Sequence, residues 1–201
     1  MYTGAVWLRV DVLEAAMIAA GISSSFETGL AAYIGVRDQA RDHLLLGRWV
    51  IVDAVNGVEE ARKMWRDLSV ELSVNRWVVE LVCSDLVEHR RRIESRTSPT
   101  PPLPMPTWEE VLCREYVTWK EPVLTVDTTL TVEENLNLIL AYLRGIPVNH
   151  AAVDRSVWNV RYILCDHTTL LQLTTSVTPS ALERFKSVRS KSQSVIIIHN
   201  C

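Results

Sequence analysis

The 201-residue sequence contains no G-x-x-x-x-G-K-[ST], and none of its four lysines (Lys63, Lys120, Lys186 and Lys191) follows a glycine. A loop that cradles phosphates with backbone N–H groups and reaches them with a lysine is therefore excluded from these residues. G-x-G-x-x-G and G-x-S-x-G are missing as well, and the five histidines (43, 89, 150, 167 and 199) have no metal-ligand spacing. Cysteine is sparse and scattered (Cys83, Cys113, Cys165 and Cys201), with no C-x-x-C pair. That pattern suggests neither a zinc site nor a disulfide framework, and a reducing, cytoplasmic setting is expected. No apolar run approaches the roughly 18 residues of a membrane span. The apolar N-terminus carries Arg9, Asp11 and Glu14 with no basic stretch ahead of them. It does not read as a signal peptide, and no membrane partner is expected.

What is present is the composition of a folded chain: 48% hydrophobic and 22% charged residues, with 7 glycines and 8 prolines. The net charge of −3 is uneven. Residues 1–145 hold 15 basic and 21 acidic side chains, whereas residues 146–201 hold 6 and 3. The acidic larger part argues against a nucleic-acid surface. The change of sign marks 146–201 as a separate C-terminal extension of a domain over 1–145.

Within 1–145, apolar strand-like runs alternate with helical patterns. Val6 to Val10 ends a first strand, followed by an Ala-rich helix over Val12 to Ala20 and a long helix from Phe26 to Leu46. WVIVDAV (49–55) and RWVVELVC (76–83) read as buried strands, with an amphipathic helix over 58–72 between them. A polar helix spans Asp85 to Arg96. Thr97 to Pro106 contains five prolines and is irregular. Thr107-Trp-Glu-Glu110 and Thr131-Val-Glu-Glu134 are capping boxes, the first opening a helix through Trp119 and the second a helix that Gly145 stops. Between them Pro122 to Val126 reads as a third strand. This alternation predicts an α/β fold, a parallel sheet covered by helices on both faces, with the strands at 50–52, 78–82 and 123–126 at its centre. Of the extension, Val160 to Leu164 and Val195 to Ile198 read as strands. The rest is expected to pack loosely, and the last run suits a sheet edge left open.

Ligands of parallel sheets bind beyond the carboxyl ends of the strands, which directs attention to Asp11, Asp53, Ser84 and Asp127. Asp53 closes an apolar strand, where a carboxylate is costly to bury without a cation or donor. It suits the acid that supports Mg²⁺ in nucleotide-binding sheets, or an N-cap of the next helix. Arg9 and Asp11 fall at alternate positions at the end of the first strand. Asp11 suits a base that takes a hydroxyl proton, or an N-cap with Arg9 as its partner. The cluster His89-Arg-Arg-Arg-Ile-Glu-Ser-Arg96 places Arg92 and Arg96 on one helix face. Their forks suit phosphate oxygens, and the plain alternative is a solvated run compensated by Glu88 and Glu94.

Four blocks, GRWVIVDAVNGVEEARKMW (47–65), WVVELVCSDLVEHRRRIESR (77–96), TWEEVLCREYVTW (107–119) and VLTVDTTLTVEENL (123–136), stand in an order that resembles small P-loop kinases of the AAA-type, zeta-toxin-like group. The resemblance covers roughly Ala5 to Leu143. It implies a P-loop NTPase-like three-layer sandwich that transfers the γ-phosphoryl of ATP, with Mg²⁺, to the hydroxyl of a small-molecule substrate. It implies Asp11 as the activating base, Arg92 and Arg96 as lid arginines on the phosphates, Arg9 at the nucleotide, and Asp53 near the metal. Such kinases place a strand and the phosphate loop ahead of the element that Arg9 and Asp11 resemble. The resemblance therefore also implies a domain shortened at its N-terminus, without activity as this chain stands. The alternatives are a non-catalytic nucleotide-fold module acting through a partner and an α/β enzyme needing no phosphate loop.

Overall fold

The computed structural model describes residues 5–97, 102–114, 116–147 and the backbone of 194–199. The elements run β1 (Val6–Arg9), α1 (Val10–Ala19), α2 (Phe26–Leu45), β2 (Val50–Ala54), α3 (Glu59–Glu71), β3 (Asn75–Val82), α4 (Leu86–Ser95), α5 (Trp108–Cys113), β4 (Leu124–Asp127), α6 (Val132–Leu143) and β5 (Ser194–His199). The five strands form one sheet in the order β1-β2-β5-β3-β4, with every pairing parallel. The expected α/β class and helix-covered parallel sheet are present.

The order departs from expectation in one respect. The strand at 123–126 is not central but lies at an edge, and the centre belongs to β5. Val195 to Ile198 therefore does not cap an open edge. It pairs with Val50–Asp53 on one side and Arg76–Val79 on the other. The physical reason lies in composition: a β-branched run with no charge suits a position hydrogen-bonded on both sides, and an edge favours charges and short strands. The rest of the extension, Val160 to Leu164 included, lies outside the described residues.

Alternation along the strands builds two cores. One face gives Leu8, Val50, Val52, Ala54 and Val78 to a core with α2 (Ala32, Val36, Ala40, Leu44) and α3 (Trp65, Leu68). The other gives Val79, Leu81, Leu124 and Val126 to Ile139, Leu140 and Leu143 of α6. Right-handed crossovers account for the split. From β1 to β4 the chain advances in one direction across the sheet, and it reverses only to reach β5, so α6 crosses on the opposite face. At Gly35 a Cβ would meet Leu13 Cδ2 at 2.7 Å, a measure of how closely α2 lies on α1.

Local signals set the helix ends. Ser25 caps α2 by accepting from Thr28 N at 3.2 Å, and both capping boxes are formed. Gly145 ends α6 at φ +69°, a conformation that costs glycine little. The helix opened by Thr107 stops at Cys113 instead of running to Trp119. Tyr116 and Trp119 are drawn off the helical path by a buried glutamate and a buried arginine. Strand β1 ends one residue earlier than expected, so Val10 already belongs to α1 and Arg9 is its N-cap residue.

Candidate functional site

All strands point the same way, so their carboxyl ends share one edge of the sheet. The register of β1 with β2 sets Arg9 opposite Asp53 at that edge. Arg9 Nε lies 3.5 Å from Asp53 Oδ2, with the carboxylate 2% exposed. Asp53 sits inside β2, and the next helix is capped by Val58 without a side-chain bond, which removes the N-cap reading for Asp53. The same holds for Asp11. It occupies the first turn of α1, one position past its first residue, where a carboxylate is favoured by the helix dipole but does not cap. Asp127 does not cap α6 either. Thr131 does, and Asp127 Oδ1 accepts from Ser84 N (3.2 Å) and Thr129 N (3.0 Å), tying the ends of β3 and β4 together.

The arginine cluster stands elsewhere along the same edge. Asp85 caps α4 by accepting from Val87 N and Glu88 N. Arg92 is held on three sides: Nε donates to Glu88 at 2.8 Å, Nη1 to Thr128 Oγ1 at 3.0 Å, and Nη2 to the Thr128 carbonyl at 3.2 Å. Thr128 Oγ1 in turn donates to the Val82 carbonyl at 2.9 Å. Arg91 pairs with Glu88 and Arg90 with Glu94, so the compensation of this charge run by Glu88 and Glu94 is realised in the folded chain. The hydrogen bonds from Arg91 and Arg92 hold the Glu88 carboxyl down at about 2. Arg96 follows the last residue of α4 in extended conformation. β2 and β4 are three strand spacings apart, about 14 Å. The structure thus brings Arg9 and Asp53 together, and sets Arg92 on the Thr128 turn beyond the opposite side of β5.

Two buried groups were not singled out from the sequence. Glu80 in β3 is 8% exposed, and its oxygens accept from Tyr116 Oη and, at 2.7 Å, from Thr125 Oγ1 directly across the ladder. The signal was available, since RWVVELVC carries its acid in an apolar strand just as WVIVDAV does. His89 is 1% exposed and stacks edge-on against Trp108 at 5.2 Å. Burial, reinforced by Arg96 and Arg92, lowers its imidazole to about 4. Burial likewise raises the Cys83 thiol at the end of β3.

Just past β2, Asn56 adopts φ +47° and is fully buried. Its N–H donates to Tyr33 Oη (2.9 Å), its Nδ2 to the Ala54 carbonyl (3.1 Å), and its Oδ1 accepts from Trp65 Nε1 (2.8 Å). Its own carbonyl receives Arg62 Nε at 2.8 Å. The loop after β2 is thereby fixed to α2 and α3.

Among the described residues no three His, Cys, Asp or Glu side chains converge as a metal site, and no helix is long and apolar enough to cross a membrane. No protein-family model, curated protein or solved structure matches the chain.

Proposed function

We propose that the chain is a phosphotransferase-type nucleotide-fold domain of the P-loop kinase class, with ATP as donor and a small-molecule hydroxyl as acceptor. The observation that supports this most is the in-register pair of Arg9 and Asp53 at the carboxyl edge of an all-parallel sheet, with Asp11 in the first turn of the helix that follows β1. In this reading Asp11 accepts the proton of the attacking hydroxyl. Arg96 and Arg92 face the charge that gathers on the transferring oxygens. Arg9 neutralises Asp53, so Asp53 fits Mg²⁺ as an acceptor for one of its bound waters better than as a direct ligand, in keeping with an ion that keeps several waters. Mg²⁺ held there would offset the negative charge of the ATP phosphates.

The missing Gly-Lys loop sets the limit. Backbone N–H groups and a lysine ordinarily supply most phosphate contacts, so the 201 residues by themselves should bind Mg-ATP weakly or not at all. A second reading, a non-catalytic module that works through a partner, is favoured by Arg92, whose guanidinium is committed to Glu88 and Thr128.

One experiment separates the two. The end of β5 lies in register with Ala54, one residue past Asp53, so a loop-and-helix segment bearing G-x-x-x-x-G-K-[ST] can be appended after Cys201. The kinase reading expects tight Mg-ATP binding and phosphoryl transfer in the extended chain, with Asp11→Asn lowering turnover about 100-fold at nearly unchanged ATP affinity. An extended chain that binds Mg-ATP but is equally active with Asn at position 11 removes Asp11 from the site. One that binds no Mg-ATP leaves the partner-binding reading.

A further inference from the structure

Arg62, in the first turns of α3, is 1% exposed, and nothing in the phosphoryl-transfer reading uses it. Its Nε is fixed on the Asn56 carbonyl at 2.8 Å. Its guanidinium carbon lies 4.0 Å from the ring centre of Trp119 and 5.2 Å from that of Tyr116. The two outer nitrogens, Nη1 and Nη2, are buried and meet no hydrogen-bond acceptor among the described residues.

A guanidinium keeps its charge at any ordinary pH, and a desolvated charge with four unmatched N–H groups is expensive. Stacking on a desolvated aromatic face returns less than such a burial costs. Nearby carboxylates are already engaged. Glu80 accepts from Tyr116 and Thr125, and Glu121 pairs with Arg66 and Arg76. With Nε held by Asn56, the Nη pair is left as a fixed two-pronged fork, which matches the two oxygens of a carboxylate. One guanidinium balances one negative charge. A phosphate dianion in the same place would leave charge uncompensated in a buried setting.

We propose that Arg62 anchors a buried site for a small carboxylate ligand, walled by Trp119 and Tyr116 and held in place by Asn56. The wall comes from the irregular segment 116–119, whose Val117 N–H bonds the Gly57 carbonyl at 3.2 Å. The site goes beyond the phosphoryl-transfer reading and does not depend on it.

The test uses the full chain and sodium acetate as the probe, titrated against sodium chloride at equal ionic strength, with melting temperature and tryptophan fluorescence as readouts. The expected result is a saturable fluorescence change and a rise in melting temperature of about 5 °C at saturating acetate. Inorganic phosphate should give neither. Arg62→Lys keeps the charge but loses the fork, and should lose both responses. Trp119→Phe keeps Arg62 and a ring to stack on, so it should retain the thermal rise and lose the fluorescence change. The proposal is overturned if acetate and chloride act alike on the wild type and Trp119→Phe, which means that water alone satisfies the fork. A response in Arg62→Lys equal to the wild type, or a response to phosphate in place of acetate, overturns it too. Should Arg62→Lys not fold, the wild-type and Trp119→Phe arms decide.

Discussion

At the scale of single residues, this chain buries several groups that water would prefer to keep. Asp53, Glu80, Arg62 and His89 are each less than a tenth exposed. Asp53 has Arg9 beside it, and Glu80 has two hydroxyls. His89 instead stays neutral. Its folded value near 4 lies below the ordinary 6.5, first because burial disfavours the imidazolium and then because Arg96 and Arg92 stand near. The sign of the consequence is fixed by linkage. Between pH 6.5 and 4 the unfolded chain takes up a proton that the folded chain refuses, so this contribution is complete above 6.5 and is lost as pH falls. His89→Phe keeps the ring against Trp108 and removes the titration. Urea denaturation at pH 7 and pH 5 should show the wild type losing about 1–2 kcal/mol more than His89→Phe over that interval. Carboxylates titrate in both proteins and cancel in the difference. Equal losses would mean that His89 titrates normally in the fold.

At the scale of elements, caps and periodicity agree with the tertiary placement almost throughout. α6 is the helix that covers Val79, Leu81, Leu124 and Val126, and it begins with the Thr131–Glu134 box. Thr131→Ala removes the acceptor for Glu134 N (3.3 Å) and should cost about 1 kcal/mol in urea denaturation, while Thr131→Ser should be nearly neutral. An alanine variant as stable as the wild type would show that packing alone sets the start of α6. The helix at 107–119 is the instructive miss. Its box is correct, but Arg114 is extended, and the chain from 116 to 119 serves Glu80 and Arg62 instead of continuing the helix. Local sequence opened the helix, and contacts 36 and 57 residues away in sequence ended it.

At the scale of the whole molecule, β5 is the element on which the sheet depends. It is hydrogen-bonded to β2 and β3, which do not touch each other. A chain ending at Gly145 keeps β1, β2, β3 and β4 but leaves two pairs of strands with bare inner edges and no shared ladder. It should lack a cooperative thermal transition by circular dichroism, and the full chain should show one. A cooperative melt of residues 1–145 within a few degrees of the full chain would mean that β5 is dispensable.

The sequence by itself determined the class of the fold, because alternation of apolar strands with helical periodicity leaves little besides a helix-covered parallel sheet. It determined most element boundaries, because Ser25, Asp85, Thr107, Thr131 and Gly145 act within one turn of themselves. It also exposed Asp53, since an acid in an apolar run is visible without any partner. The site was less legible. That Arg9 is the neighbour of Asp53, that Arg92 is spent on Thr128, that Tyr116 reaches Glu80 and that Trp119 covers Arg62 are all decided between segments 30 or more residues apart. The position of the last strand belongs to the same category. A β-branched run states that it will be buried in a sheet. Which two strands it separates follows only from where the other strands leave a gap, and that is set by the packing of the helices between them.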